Sequence, residues 1–220
     1  MKYKWISTLV CAAFLGLVCA TAMAQNPGAS RAVMDKADVL IVYLSRTRNT
    51  QAVAEIIHDA VGGTLVRLEL KTPYPEDYAA IVAQVAKEDE AGYLPPLTTR
   101  IADIRQFKTV FIGFPTWGMQ LPPPIKSFLK EYDLRGKTVI PFNTNAGYGV
   151  GSSIQQVRSL CTGCNVQQGY STKGGLERDS IYLAIEGKRR EAVRGEVRKW
   201  LREIGALQPG DRSNRGAAAR

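Results

Sequence analysis

An uninterrupted apolar segment, Val39–Leu44, is followed at once by a polar hexapeptide and then by a periodic apolar pattern. The segment is short and rich in β-branched residues, as expected for a central strand of a parallel sheet that is buried on both faces. After residues 45–50, apolar residues recur every three or four positions, which predicts a helix from about Thr50 to Val61. The hexapeptide therefore precedes a helix N-terminus, where free backbone N–H groups and the helix dipole favour an anion.

The same alternation of apolar and periodic segments continues along the chain. Further strands are predicted at Thr64–Leu70, Thr109–Phe114, Thr138–Phe142 and about Asn165–Ser171. Further helices are predicted around Tyr78–Val85, Ile125–Leu129, Ile154–Gly163 and Val193–Ile204. A long connection over Glu88–Ile104 and an irregular insert over residues 172–185 separate some of them. Five strands alternating with five helices predict an α/β fold, a doubly wound parallel sheet with helices on both faces and right-handed crossovers.

Three polar loops follow the first, third and fourth predicted strands: loop 1 (45–50), loop 2 (115–121) and loop 3 (143–151). Ligands of doubly wound sheets bind beyond the carboxyl ends of the strands. With the strand order 2-1-3-4-5, the three loops meet around one crevice. The sequence therefore predicts one binding site, with loop 1 as its anion-binding part.

The first 24 residues have the pattern of a secretory signal peptide: two lysines, an apolar run over 6–20, and Ala22-Met23-Ala24. We expect Sec export, cleavage after Ala24 and a periplasmic protein; an uncleaved N-terminal anchor is the alternative. Residues 25–37 are expected to form a flexible leader and residues 38–205 the folded domain. Residues 206–220 are rich in Gly, Ala and Arg and are expected to be a disordered tail.

Two of the four cysteines, Cys11 and Cys19, lie in the signal peptide, which leaves Cys161 and Cys164 in C-x-x-C spacing. In an oxidising compartment this pair is a possible disulfide. A redox relay is the alternative. It is disfavoured because Cys161 lies at the C-terminal end of a predicted helix, where the dipole opposes a thiolate.

Other chemistries find little support in the sequence. His58 is the only histidine, so neither a His-based triad nor a multi-histidine metal site is available, and we expect no metal. No phosphate loop of the G-x-x-x-x-G-K-[ST] type occurs. The glycine pattern over 147–151 resembles a dinucleotide-binding fingerprint, but it follows the fourth strand instead of the first, which disfavours NAD.

The three loops together resemble those of the flavodoxin family. SRTRNT is similar to the family's phosphate loop [ST]-x-T-G-N-T, FPTWG to its first flavin loop, and PFNTNAGYGVGSS to its second. The resemblance covers almost all of residues 38–205 and implies a flavodoxin-like fold that binds FMN without covalent attachment. Arg48 departs from the pattern, because it stands where the family usually has glycine. If this position needs a positive φ, arginine strains the loop by about 1 kcal/mol or more.

The resemblance also implies roles for individual residues. Hydrogen bonds to the FMN phosphate are expected from Ser45, Thr47, Asn49 and Thr50. Arg46 and Arg48 either add charge there or are solvated. In loop 2, the expected contacts with the flavin come from Pro115, Thr116, Trp117 and Gly118. Loop 3 is expected to line the pyrimidine side with Thr144, Asn145, Ala146, Gly147, Tyr148 and Gly149.

Trp117 is expected to stack on the flavin ring, since one large flat ring matches another; a core tryptophan is the alternative. Gly118 is expected near flavin N5, where a glycine can reorient its carbonyl at little cost. Tyr148 either covers the second face of the ring or is an exposed tyrosine at the tip of a loop. No catalytic residue is assigned.

The net charge of the mature chain indicates which kinds of partner it binds. Loss of Lys2 and Lys4 with the signal peptide lowers the formal net charge from +9 to +7, whereas flavodoxins are usually acidic. We expect redox partner proteins with acidic docking faces, membrane quinol, or peripheral contact with an anionic membrane, and no nucleic acid. Three hypotheses remain. An electron carrier is favoured, an FMN-dependent reductase of quinones or similar acceptors is the alternative, and a scaffold with weak or no FMN binding is the third.

Overall fold

A computed structural model describes residues 34–208 of the chain. The predicted signal peptide, the leader up to residue 33 and the tail from residue 209 lie outside the described residues. The strands are β1 Val39–Tyr43, β2 Thr64–Arg67, β3 Thr109–Pro115, β4 Thr138–Asn145, β5 Asn165–Val166 and β6 Tyr170–Lys173. The helices are α1 Asn49–Val61, α2 Tyr78–Ala91, α3 Pro123–Glu131, α4 Ser153–Leu160 and α5 Gly187–Glu203. None of the helices within residues 34–208 combines the length and the apolar content needed to cross a membrane.

The strands form one parallel sheet in the order β2-β1-β3-β4-β5, and β6 also pairs with β4. This confirms the predicted fold class and strand order. Tyr43, the last residue of β1, is level with Arg67 on one side and Gly113 on the other, so neighbouring strands end at the same edge. Loops 1, 2 and 3 start from this edge.

The fifth predicted strand is divided into β5 and β6 because of a proline in β4. On this side of β4, the carbonyl of Val139 accepts from Gln167 N (2.9 Å) and that of Asn145 accepts from Gly174 N (2.8 Å). The two-residue alternation of a strand puts Pro141 on the same side, and proline has no N–H to donate. The ladder is interrupted opposite Pro141, so the single strand predicted over 165–171 is replaced by two short ones.

Helices cover both faces of the sheet. On one face, α1 and α5 enclose a core in which Ile57, Phe111, Val197 and Trp200 are almost completely buried. On the other face, α3 and α4 pack over a second buried cluster. Ala206 and Leu207, which the sequence assigns to the tail, are 8% and 5% exposed and belong to the first core. The folded part thus extends beyond residue 205, because these two apolar side chains find buried positions after α5.

Glu196 links α5 to the sheet. Its carboxylate accepts hydrogen bonds from the Tyr170 hydroxyl (2.7 Å) and from the Arg189 guanidinium (2.9 Å). Burial by itself raises the pKa of Glu196, but the hydrogen bonds from Tyr170 and Arg189 outweigh it and lower the pKa below its usual value.

Helix α2 is longer than the sequence suggests. Asp77 caps its start, since its carboxylate accepts from Ala80 N at 2.7 Å, and Gly92 ends it with φ 61°. The helix therefore includes residues 88–91, which the sequence assigns to a long connection.

Strand β2 is shorter than predicted. It ends at Arg67, and Leu70 then forms an isolated antiparallel bridge with Leu97.

The cysteine pair lies away from the three loops. Cys161 and Cys164 form a disulfide with their Cα atoms 5.5 Å apart, directly after α4. The neighbouring Gly163 accepts a hydrogen bond from Gly136, which precedes β4. The disulfide is therefore at the amino edge of the sheet, opposite the loops, which disfavours the alternative of a direct redox relay.

Candidate functional site

Loop 1 presents a row of free backbone N–H groups at the start of α1. The Ser45 hydroxyl accepts from Gln51 N (3.2 Å), and Arg48 O accepts the first helical hydrogen bond from Ala52 N (2.9 Å). The backbone N–H groups of residues 46–50 donate to no acceptor within the part of the chain that the structure describes. Together with the positive end of the helix dipole, they make a site for an anion.

Arg48 is in the left-handed region, with φ 64° and ψ 0°. Glycine is favoured in this conformation. Arg48 stands where the flavodoxin pattern has glycine, so its Cβ atom strains the backbone. The Arg48 side chain is exposed and does not line the cavity described below.

Asn49 uses its side chain to hold a distant segment. Its amide nitrogen donates to Thr47 Oγ1 (2.9 Å) and to Tyr182 O (2.6 Å), and its oxygen accepts from the N–H groups of Ala184 (2.9 Å) and Ile185 (3.1 Å). Since both amide hydrogens have partners, the group that Asn49 offers to a ligand is its backbone N–H. The predicted contact of its side chain with phosphate stays a prediction.

Arg46 is also held, and it is not the solvated side chain considered from the sequence. Its guanidinium forms an ion pair with Glu177 (2.6 Å) and donates to the carbonyls of Pro75 (2.6 Å) and Glu76. Both side chains of the ion pair are largely buried, at 20% and 16% exposure. Loop 1 is thereby fixed to the segment before α2 and to the insert after β6.

Loop 2 is a tight turn from Trp117 to Gln120. Gln120 N donates to Trp117 O (2.8 Å), and Gly118 (φ 52°) and Met119 (φ 59°) are both left-handed, as in a type I′ turn. The turn is anchored to the start of α4, because Ser152 N donates to Met119 O at 2.9 Å. A Cβ atom on Gly151 would lie 2.1 Å from that same oxygen, so only glycine fits there.

The Trp117 ring is half-buried and has a defined neighbour. It meets the edge of the Tyr74 ring at a centroid distance of 5.3 Å and an angle of 89°. The Tyr74 hydroxyl donates to the buried Glu88 carboxylate (2.5 Å), which also accepts from Gln84 (2.8 Å). Burial, followed by the hydrogen bond to Glu88, raises the pKa of Tyr74, so this hydroxyl remains protonated.

Loop 3 is organised by Asn145. The Asn145 Oδ1 atom accepts from the N–H groups of Gly147 (2.8 Å) and Gly149 (3.1 Å), which are therefore used within the loop. Thr144, at the end of β4, joins loop 3 to loop 1 through a 2.8 Å hydrogen bond between its hydroxyl and that of Thr50. Tyr148 is 64% exposed at the tip of the loop.

The three loops surround one cavity of about 550 Å³ at the carboxyl edge of the sheet, as predicted. Eleven of the sixteen predicted binding residues line it, namely Arg46, Thr47, Asn49, Thr50, Pro115, Thr116, Trp117, Gly118, Thr144, Asn145 and Ala146. The other five lie just outside its lining: Ser45, Arg48, Gly147, Tyr148 and Gly149. Their contacts with a ligand stay predictions.

Two walls of the cavity are missing from the sequence-based site. One is α2, from Tyr78 to Glu90, and the other is the segment 174–177 that carries Glu177. The apolar spacing in α2 and the irregular insert are both visible in the sequence. Neither pattern indicates that these residues face the cavity. Within residues 34–208, no group of three or more His, Cys, Asp or Glu side chains could hold a metal ion. His58 lies near the far end of α1, with its ring 3.2 Å from Gly63 O.

Comparison with known proteins agrees with this geometry. The family model described as Flavodoxin matches residues 38–187. A candidate flavoprotein from Bacteroides eggerthii has a TM-score of 0.62 and 25% identity, over 78% of this chain and 99% of that chain. A candidate flavoprotein from Bacteroides uniformis has a TM-score of 0.61 and 23% identity, over 76% and 99%. A flavoprotein from Lactobacillus acidophilus, solved in complex with FMN, has a TM-score of 0.55 and 22% identity, over 62% and 92%. No curated protein sequence matches the chain. Because the family model covers well over half of its length, this chain belongs to the flavodoxin family.

Proposed function

We propose that this protein binds FMN without covalent attachment and transfers electrons between redox partners outside the cytoplasm. The observation that carries the proposal is the row of free N–H groups of residues 46–50 at the start of α1. Membership of the flavodoxin family supports FMN as the cofactor, and so does the complex of the Lactobacillus flavoprotein with FMN.

The residues present fit this cofactor. The free N–H groups and the dipole of α1 suit a phosphate dianion. The cavity volume of about 550 Å³ is in the range of pockets that hold small molecules. Gly118 has a φ of 52° in the turn of loop 2, a conformation that glycine adopts at little cost.

Each part of the chain has a distinct task in this proposal. Loop 1 binds the phosphate through its backbone, while Arg46 and Asn49 keep that backbone in place through their distant partners. Trp117, held by Tyr74, covers the apolar ring and excludes water from it. When bound, FMN supplies redox chemistry in one-electron or two-electron steps.

A carrier role is favoured over catalysis because three of the four charged side chains that line the cavity are paired; the fourth, Glu90, is exposed at the end of α2. Arg46 is paired with Glu177, and Asp89 is paired with Lys126 at 2.7 Å with both side chains largely buried. Groups that are paired in this way are poor proton donors or acceptors for a substrate. Reduction of a small acceptor is the second candidate, and the apolar wall formed by α2 favours it.

The charge and the N-terminal pattern extend the proposal to partners and location. A formal charge of +7 after cleavage favours acidic docking faces on partner proteins, or an anionic membrane surface close to a quinol donor. We place the mature protein in the periplasm, beginning at Gln25. The intact mass of protein released from the periplasm tests the cleavage site, since an uncleaved anchor leaves the full 24.1 kDa chain in the membrane fraction.

The first experiment measures FMN binding. Mature protein contains two tryptophans, Trp117 in the cavity and Trp200 in the core. We expect flavin absorbance in the purified protein, saturable quenching of FMN fluorescence on titration, and a clear loss of that quenching in Trp117→Phe. Trp200→Phe is the matched control and should keep it. Absence of saturable binding at a large excess of FMN would overturn the proposal.

The second experiment tests electron transfer. Photoreduced, FMN-loaded protein is mixed with an acidic and with a basic electron-accepting protein of similar potential. We expect faster transfer to the acidic one, with a rate that falls as salt is added, because opposite charges steer the encounter. Equal rates that do not respond to salt would contradict the docking part of the proposal.

A further inference from the structure

One side of the cavity is built from the apolar face of α2. Tyr78, Ile81, Val82, Val85 and Ala86 all line the cavity from this helix. The spacing of these residues is that of one helix face, so the apolar wall is roughly 12 Å long at 1.5 Å per residue. Asp89 and Glu90 continue the same face with charged side chains.

Part of this wall is open to solvent. Val82 is 50% exposed and Tyr78 is 41% exposed, whereas Ile81 and Val85 are 5% exposed. Apolar side chains gathered along one wall of a cavity are characteristic of ligand-binding sites, because burying them stabilises the complex by about 25 cal/mol per Å². Loops 1 to 3 already provide the contacts expected for FMN, so the α2 wall is additional to them.

A polar group elsewhere in the lining of the same cavity narrows the class of ligand. Gln120 lines the cavity, and its Oε1 atom accepts a hydrogen bond from Gln156 Nε2 at 3.1 Å. The Nε2 atom of Gln120 donates to no acceptor among residues 34–208. A free amide donor in a cavity that also has an apolar wall suits a ligand that is apolar over its rings and bears a carbonyl oxygen.

We propose that the apolar face of α2 binds a flat ring compound that carries carbonyl groups, of the quinone class, in the cavity that also takes FMN. The inference rests on the proposed function and specifies a small partner for the same site. Tyr78 supplies aromatic surface, Val82 and Val85 supply aliphatic surface, and Gln120 supplies a hydrogen bond to a ring carbonyl. A protein segment is a poorer occupant, since its backbone would bring many polar groups against a wall that offers few partners.

The test uses FMN-loaded mature protein titrated with menadione by calorimetry, after FMN affinity has been measured separately. Val82→Asp puts a charge on the wall, and we expect menadione affinity to fall about tenfold or more with FMN affinity changed less than about twofold. Ala83→Asp is the matched control, because Ala83 is the next residue of α2, is exposed, and does not line the cavity. It should leave both affinities unchanged.

The role of the carbonyl is tested with Gln120→Leu and with methylnaphthalene, which has the same rings without carbonyls. Wild-type protein should bind menadione about tenfold more tightly than methylnaphthalene, and Gln120→Leu should remove most of that preference. Retained FMN binding without saturable menadione binding overturns this inference alone, as does equal binding by the Val82→Asp and Ala83→Asp variants. Loss of FMN binding in wild-type protein would overturn the proposed function and this inference with it.

Discussion

Replacement of Arg48 by glycine should stabilise the protein. Arg48 has φ 64° and ψ 0° at the N-cap of α1, and its side chain makes no capping hydrogen bond there. A left-handed conformation costs a residue with a Cβ atom roughly 1 to 2 kcal/mol. Glycine removes that cost but gains entropy in the unfolded chain, which offsets about 0.4 to 1 kcal/mol. We expect Arg48→Gly to raise the free energy of unfolding by about 0.5 to 1 kcal/mol.

Thermal unfolding is the assay for this prediction. In a domain of this size, the expected gain corresponds to an increase in Tm of about 1 to 4 °C. Arg48→Ala is the matched control, because alanine removes the charge and keeps the Cβ atom, and it should not raise Tm. FMN affinity should fall by a similar small factor in both variants, since both lose one exposed positive charge near the phosphate site. If the glycine variant melts no higher than the alanine variant, the argument from backbone strain is wrong.

Two further predictions concern other parts of the fold. Gly151→Ala should lower stability by about 1 to 3 kcal/mol and weaken FMN binding, because its Cβ atom would lie 2.1 Å from Met119 O and displace loop 2. Gly149→Ala is the control: Gly149 (φ 85°) and Gly151 (φ 53°) both lose a backbone conformation that suits glycine, but no atom lies within 4 Å of the new Cβ at Gly149, so that variant should cost less; equal losses would contradict the steric argument. Glu196 has a lowered pKa, so its stabilising effect is present above its unfolded pKa of about 4.3 and is lost as pH falls through its folded pKa. Chemical unfolding at a series of pH values should therefore show a shallower loss of stability below about pH 5 in Glu196→Gln than in wild type or in the surface control Glu203→Gln.

The parts of this protein that were predictable from sequence are those set by local patterns. The all-apolar segment at residues 39–44 predicts a strand that is buried on both faces of the sheet. The polar loop 1 that follows this strand identifies the carboxyl edge of the sheet, where the cavity lies. The fifth strand is interrupted because of Pro141 in the neighbouring strand β4. The pattern within residues 165–171 therefore does not predict the interruption.

The roles of Arg46 and Asn49 were not predictable for a similar reason. Their partners, Glu177 and residues 182–185, lie in an insert without periodicity, so the sequence gives no register between the two segments. Helix α2 illustrates a third limit. Its apolar spacing predicts a helix with one buried face. The same spacing is expected whether that face packs against a core or lines a cavity, so the sequence does not distinguish the two.

The contacts that hold loop 1 have a consequence for the order in which the protein assembles. Arg46 and Asn49 are joined to residues more than 130 positions later in the chain. We expect contacts of such separation to form late in folding, because a long loop must close before they contribute. Loop 1, the proposed phosphate site, is therefore expected to be among the last features to become rigid, although its sequence is near the start of the domain. In an exported chain that crosses the membrane unfolded, loop 1 would become ordered only after the final third of the chain has packed against it. Binding of the cofactor would then be the last step of maturation.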